Sequence, residues 1–143
     1  MSKPLALVVD DEPDIRELLQ ITLERLNLDV VVADSVAAAT RELRANHFDL
    51  CLTDMKLPDG DGLGLVEWIQ HHKAHTPVAV ITAHGNVETA VRALKLGAFD
   101  FISKPIDVNA LRKLIAATLK LSGPTESTLE LPQVKLLGRS RAM

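Results

Sequence analysis

The sequence predicts an α/β fold: a five-stranded parallel sheet, doubly wound, with helices on both faces. Short apolar runs alternate with amphipathic helical patterns five times between Leu5 and Leu119, and such alternation is the mark of β-α units joined by right-handed crossovers. The run Phe48–Leu52 is apolar enough to be a strand buried on both faces, as strands of covered parallel sheets are. Apolar residues make up 47% of 143, enough to fill one sizeable core.

Leu5-Ala6-Leu7-Val8-Val9 is the first strand, ending in Asp10-Asp11-Glu12. Pro13 suits a first helical turn, and the acids around it favour the positive end of the helix dipole. Ile15, Leu18, Leu19, Thr22 and Leu26 recur at helical spacing. Val30–Ala33 is the second strand, and Ser35 is placed to N-cap a helix through Val36, Ala39 and Leu43. The third strand closes on Asp54. Pro58-Asp59-Gly60 then reads as a turn, and Leu63, Leu65, Val66 and Ile69 mark the third helix.

Pro77–Thr82 is the fourth strand. The helix after it carries Val87, Ala90, Val91 and Leu94, with Gly97 placed to stop it. Ala98–Ile102 is the fifth strand, closing on Ser103-Lys104-Pro105. Asp107 caps a last helix carrying Leu111, Leu114, Ile115, Thr118 and Leu119, which Gly123-Pro124 ends. This arrangement is flavodoxin-like, (βα)5, with the expected strand order 2-1-3-4-5. Residues 1–122 form the folded domain, and residues 123–143 read as a linker and the start of another element.

Composition excludes several classes. A net charge of −3 carries no polyelectrolyte signal for nucleic acid, and 3% aromatics without Tyr leave little for base stacking. A single Cys51 rules out an internal disulfide. No apolar run reaches membrane-spanning length, so a cytoplasmic protein is expected.

The chemistry gathers at one edge. Asp10 and Asp11 follow strand one, Asp54 strand three, Thr82 strand four and Lys104 strand five. In a parallel sheet these carboxyl ends converge, where open α/β sheets hold ligands. Three carboxylates repel: at ~4 Å and an effective dielectric of ~20, each pair costs about 4 kcal/mol. Either a pKa rises or a cation binds. Oxygen ligands without His or Cys select a hard ion, naturally Mg²⁺. With Thr82 and Lys104 as donors to phosphoryl oxygens, Asp54 has the surroundings of a nucleophile in phosphoryl transfer. Any one of these residues alone would be a cap, a turn or a solvated charge; their combination is what points to chemistry.

The runs Val-Val-Asp-Asp-Glu (8–12), Leu-Thr-Asp-Met-Lys-Leu-Pro-Asp-Gly-Asp-Gly (52–62), Val-Ile-Thr-Ala (80–83) and Gly-Ala-Phe-Asp-Phe-Ile-Ser-Lys-Pro (97–105) together resemble the receiver domain of bacterial two-component response regulators. The resemblance covers roughly residues 4–122 and is nearest the NtrC-type branch. It implies that Asp54 accepts a phosphoryl group from a sensor histidine kinase. It further implies that Asp11, Asp54 and the Lys56 carbonyl ligate Mg²⁺, with Asp10 assisting, and that Thr82 and Lys104 bind phosphoryl oxygens. The Lys104–Pro105 bond is expected to be cis. Thr82 and Phe101 are expected to act as the switch pair, and helix four, strand five and helix five as a homodimer face. Phe101 stands where many members carry Tyr, so it can report only by packing. Residues 134–143 are similar to the opening of that branch's AAA+ ATPase domain. This implies an activator working with the nitrogen-type sigma factor, whose holoenzyme and DNA contacts lie in domains outside this chain.

Three other functions compete. A haloacid-dehalogenase-type phosphatase also uses an Asp nucleophile and Mg²⁺, but places it after the first strand. A flavodoxin-like nucleotide binder would need a phosphate loop where Asp10-Asp11-Glu12 stands. A free-standing receiver without an output domain fits poorly with the tail beyond Gly123. His71, His72 and His75 read as a solvated helix end, Cys51 as a packed thiol, and Trp68 as a partly exposed flank of helix three.

Overall fold

The computed structural model describes residues 3–83 and 86–119. Its elements run β1 (Leu5–Val9), α1 (Pro13–Arg25), β2 (Asp29–Ala33), α2 (Val36–Ala45), β3 (Leu50–Asp54), β4 (Lys56–Leu57), β5 (Gly60–Asp61), α3 (Gly62–His72), β6 (Val78–Thr82), α4 (Val87–Leu96), β7 (Asp100–Ser103) and α5 (Val108–Leu119). Among the described residues, those up to Arg112 form one compact unit that holds the whole sheet. The expected boundary at 122/123, the linker and the helix stop at Gly123-Pro124 lie outside the described residues.

The main sheet is parallel, in the order β2-β1-β3-β6-β7. This is the expected α/β class, and it differs from the anticipated 2-1-3-4-5 numbering because two further short strands intervene. The segment after Asp54 is an antiparallel hairpin, β4 with β5, which pairs Lys56 with Asp61 and Leu57 with Gly60. Pro58-Asp59 forms its tip. A two-residue strand is too short to show a period in sequence, so only its turn was visible beforehand.

Side-chain alternation divides the sheet into two faces. Leu7, Val9, Cys51, Val78 and Val80 share a buried cluster with Ala39 and Leu43 of α2, Leu65, Val66 and Ile69 of α3, and Ala93 of α4. Ala6, Val8, Leu52 and Ile81 are equally buried but lie outside that cluster. The buried Leu19 and Leu23 of α1, which packs on β1 and β2, cover this other side. Every residue of β3 is buried, as a central strand between two helical layers must be.

Helix ends follow the expected chemistry with two departures. Ser35 accepts a hydrogen bond from the Ala38 N–H at 3.1 Å, and Asp107 accepts from the Asn109 N–H at 2.9 Å. Gly97, at φ 123°, ends α4 in a conformation that favours glycine. That reversal continues through Ala98, whose N–H returns to the Ala93 carbonyl at 3.0 Å. The last strand therefore starts at Asp100, two residues later than the apolar pattern suggested. Similarly, Leu26 is the C-cap of α1, followed by Asn27 at φ 71°, and Leu23 takes the core position instead.

Candidate functional site

A cleft of ≈ 330 Å³ opens at the carboxyl edge of the sheet, lined by Asp11, Glu12, Asp54, Lys56, Asn86 and Lys104 among others. Asp54 ends β3 and is 7% exposed. Its Oδ1 accepts from the Met55 N–H at 2.8 Å and its Oδ2 from Lys104 Nζ at 3.3 Å. Asp10 lies behind the cleft at 0% exposure. Its Oδ1 accepts from the Glu12 N–H at 2.8 Å, whereas Oδ2 is buried without a hydrogen-bond partner among the described residues. Carboxylate oxygens of Asp10, Asp11 and Asp54 all lie within 4.8 Å of one another.

Such crowding has an electrostatic signature. Burial, the largest influence, and the charge of Asp54 raise the Asp10 carboxyl from its ordinary 3.8 to about 6, against the opposing hydrogen bond from Glu12. Lys104 is the counterweight. Partial burial disfavours its ammonium, but the Glu12 hydrogen bond and the charges of Asp10 and Asp54 outweigh that and raise its pKa. Nζ sits 3.0 Å from Glu12 Oε1 and 3.7 Å from Asp10 Oδ2. Among the described residues Lys104 alone comes within ion-pair distance of these acids, and its single charge does not neutralise Asp10, Glu12 and Asp54. An orphaned buried oxygen in an all-oxygen donor set suits a hard divalent cation, so the acidic group fits a metal.

The hairpin after Asp54 is clamped from three sides. At its tip Asp59 accepts from the Val36 and Ala37 N–H groups at 2.8 and 3.0 Å, and these bonds, that from Ala37 foremost, lower its pKa. Asp61 caps α3 by accepting from the Gly64 N–H at 2.8 Å. Gly62 donates to the Met55 carbonyl at 2.9 Å, and a Cβ built on it would drive into the Asp54 carbonyl oxygen. Thus the backbone of Met55 and Lys56 is held beside the acid.

The remaining anticipated residues fall as follows. Thr82 ends β6 and is fully buried; it is not among the residues lining the cleft, and its carbonyl accepts from the Lys104 N–H at 2.8 Å. Phe101 is 37% exposed. The Lys104–Pro105 peptide bond is cis. Glu12 and Asn86 were not singled out by sequence reasoning; Glu12's adjacency to Asp10-Asp11 was the available signal. Away from the cleft, Trp68 stacks on His72 at 4.4 Å and lies beneath Arg44, while His47 stacks on His75. The Cys51 thiol is fully buried, and that burial raises its pKa to about 12.

Residues 6–116 match the family profile described as the response regulator receiver domain. The chain belongs to that family. Among curated relatives, the receiver is 53% identical to the response regulator protein PilR of Pseudomonas aeruginosa over 143 residues, 100% of this chain and 32% of the relative. It is 37% identical to the transcriptional regulatory protein GlrR of Escherichia coli over 118 residues, 82% of this chain and 27% of GlrR. The chain thus spans about a third of the length of these NtrC-type regulators. Of solved structures, the receiver domain of NtrX from Brucella abortus superposes with a TM-score of 0.77 at 35% identity, covering 82% of this chain and 99% of that one. A response regulator receiver protein from Pseudomonas putida gives 0.75 at 33% identity, covering 82% and 98%. The receiver is a phosphorylation-dependent signalling domain. Among the described residues no helix is long and apolar enough to cross a membrane.

Proposed function

We propose that Asp54 is the phospho-acceptor of this receiver and takes its phosphoryl group from a sensor kinase's phosphohistidine. The observation that carries the reading is the placement of Asp54 Oδ2 against Lys104 Nζ at 3.3 Å, beside a buried Asp10 oxygen that has no hydrogen-bond partner among the described residues. In the transfer, an Asp54 oxygen bonds to phosphorus as the phosphorus–nitrogen bond of the donor breaks, the electron pair remaining on the imidazole. Lys104 meets the phosphoryl oxygens as a point charge, and Thr82 would supply a hydroxyl. Asp10, Asp11, Asp54 and the Lys56 carbonyl would hold Mg²⁺. When bound there, the cation supplies positive charge to the phosphoryl oxygens.

The downstream reading concerns self-association and output. Val87, at 67% exposure, Val91, Leu94, Phe99, Phe101 and Val108 occupy exposed positions of α4, the connection after it, β7 and the first turn of α5. An apolar patch of this kind marks an interaction surface, and a phosphorylation-driven homodimer fits it, with Thr82 and Phe101 as the relay. The tail's likeness to an AAA+ opening, and relatives about three times as long, support an attached activator of the nitrogen-type sigma factor.

The test is intact mass after incubation with acetyl phosphate, with and without Mg²⁺, on wild type and Asp54→Asn. A Mg²⁺-dependent gain of one phosphoryl group in wild type alone supports the assignment. Equal gain in the variant moves the acceptor to another residue.

A further inference from the structure

We propose that Glu12 is a positioning residue that restrains Lys104 before transfer and thereby sets the rate at which Asp54 is phosphorylated. The inference rests on Asp54 being the acceptor. Lys104 Nζ lies closer to Glu12 Oε1, at 3.0 Å, than to Asp54 Oδ2, at 3.3 Å, or Asp10 Oδ2, at 3.7 Å. Its shortest contact is therefore with a carboxylate that neither accepts the phosphoryl group nor belongs to the acidic cluster. The backbone that presents Glu12 is fixed from within, because its N–H donates to the buried Asp10 at 2.8 Å.

Exposure makes the contact releasable. The Glu12 side chain is 57% exposed at the rim of the cleft, where an ion pair is weak and breaks readily. An ammonium has three N–H donors, and Glu12 occupies one of them. Its charge also stands at the mouth through which an anionic donor must enter. In transfer from acetyl phosphate, an Asp54 oxygen bonds to phosphorus while the phosphorus–oxygen bond to acetate breaks and its electron pair leaves with acetate. The phosphoryl oxygens then lie beside the ammonium that Glu12 holds. Glu12 opposes the anion on both counts, whereas its charge favours a cation in the same cleft. A merely structural residue would not separate those two effects.

The experiment uses the 143-residue chain as wild type, Glu12→Gln and Glu12→Asp. Mg²⁺ affinity is measured by titration calorimetry, and the phosphorylation rate by intact mass with acetyl phosphate at saturating Mg²⁺. Glu12→Gln is expected to phosphorylate about threefold faster while binding Mg²⁺ about twofold more weakly, the scale of an exposed charge contact. Glu12→Asp, with its charge kept and its reach shortened, should accelerate less and bind Mg²⁺ like wild type. A Glu12→Gln rate equal to or below that of an active wild type overturns the proposal and leaves the acceptor assignment standing. Movement of rate and Mg²⁺ affinity in the same direction overturns it as well. A wild type that gains no phosphoryl group removes the acceptor reading and this proposal together.

Discussion

Asp10→Asn should stabilise the metal-free receiver, and the gain should depend on pH. In the folded chain the Asp10 carboxyl titrates at about 6 against an ordinary 3.8. Between those values the native state keeps a proton that the unfolded state has released, so stability falls as pH rises through this window. At about 1.4 kcal/mol per pKa unit, the raised Asp10 pKa costs the fold about 3 kcal/mol at pH 7.5, where the group is ionised, and about 1 kcal/mol at pH 4.5, where it holds its proton. Asparagine keeps the oxygen that accepts from the Glu12 N–H, and the 3.7 Å ion pair with Lys104, present only where Asp10 is ionised, is already contained in the Asp10 pKa. The pH-dependent part of the gain is therefore about 2 kcal/mol, which at typical slopes is roughly 1 M urea at the unfolding midpoint. Urea denaturation in EDTA, followed by far-UV circular dichroism at the two pH values, measures it. Mg²⁺ should stabilise wild type more than the variant, since the variant lacks the orphaned oxygen. A midpoint that falls on substitution, or a gain identical at pH 7.5 and 4.5, would refute the reasoning.

Three further outcomes are expected. Asp59→Ala should accelerate hydrogen exchange at the Val36 and Ala37 amides while Ala38, held by Ser35, keeps its rate. Because the folded Asp59 carboxyl titrates below 3.8, the cap's contribution is complete above about pH 4 and is lost as pH falls through the folded value. Gly62→Ala should cost about 1–3 kcal/mol by overpacking against the Asp54 carbonyl and slow phosphorylation as well; unchanged urea midpoint and rate would show that α3 yields freely. Cys51, buried and shifted to about 12, should resist a thiol reagent at pH 8 until the chain unfolds, and reaction within minutes in the native state would place it nearer solvent.

Much of this architecture was legible because each β-α unit has its own punctuation. Ser35 and Asp107 announced helix starts, Gly97 announced a stop, and the mainly apolar run into Asp54 announced the central strand. What stayed hidden were features that exist only between distant segments. Nothing in the sequence of Asp59 says that it caps a helix whose first residue is 23 positions earlier. Glu12 could be seen beside two acids, but its choice of Lys104, 92 residues away, depends on the sheet order. The convergence of Asp10, Asp11, Asp54 and Lys104 followed from topology alone. The placement of Thr82 behind the cleft lining did not, because it depends on side-chain packing at the strand end.

The order β2-β1-β3-β6-β7 also bears on the life of the chain before it is finished. Asp54 lies on the middle strand, between a strand made earlier and one made later, and its lysine arrives 50 residues after it. A chain leaving the ribosome N-terminus first exposes the acid long before β6 and β7 exist to enclose it. At roughly 5–20 residues per second, several seconds separate synthesis of Asp54 from synthesis of Lys104. Until then the carboxylate is one more solvated aspartate. Completion of the cleft thus coincides with completion of the sheet, and a truncated product that retains Asp54 but lacks β7 has the acid without the lysine that pairs with it.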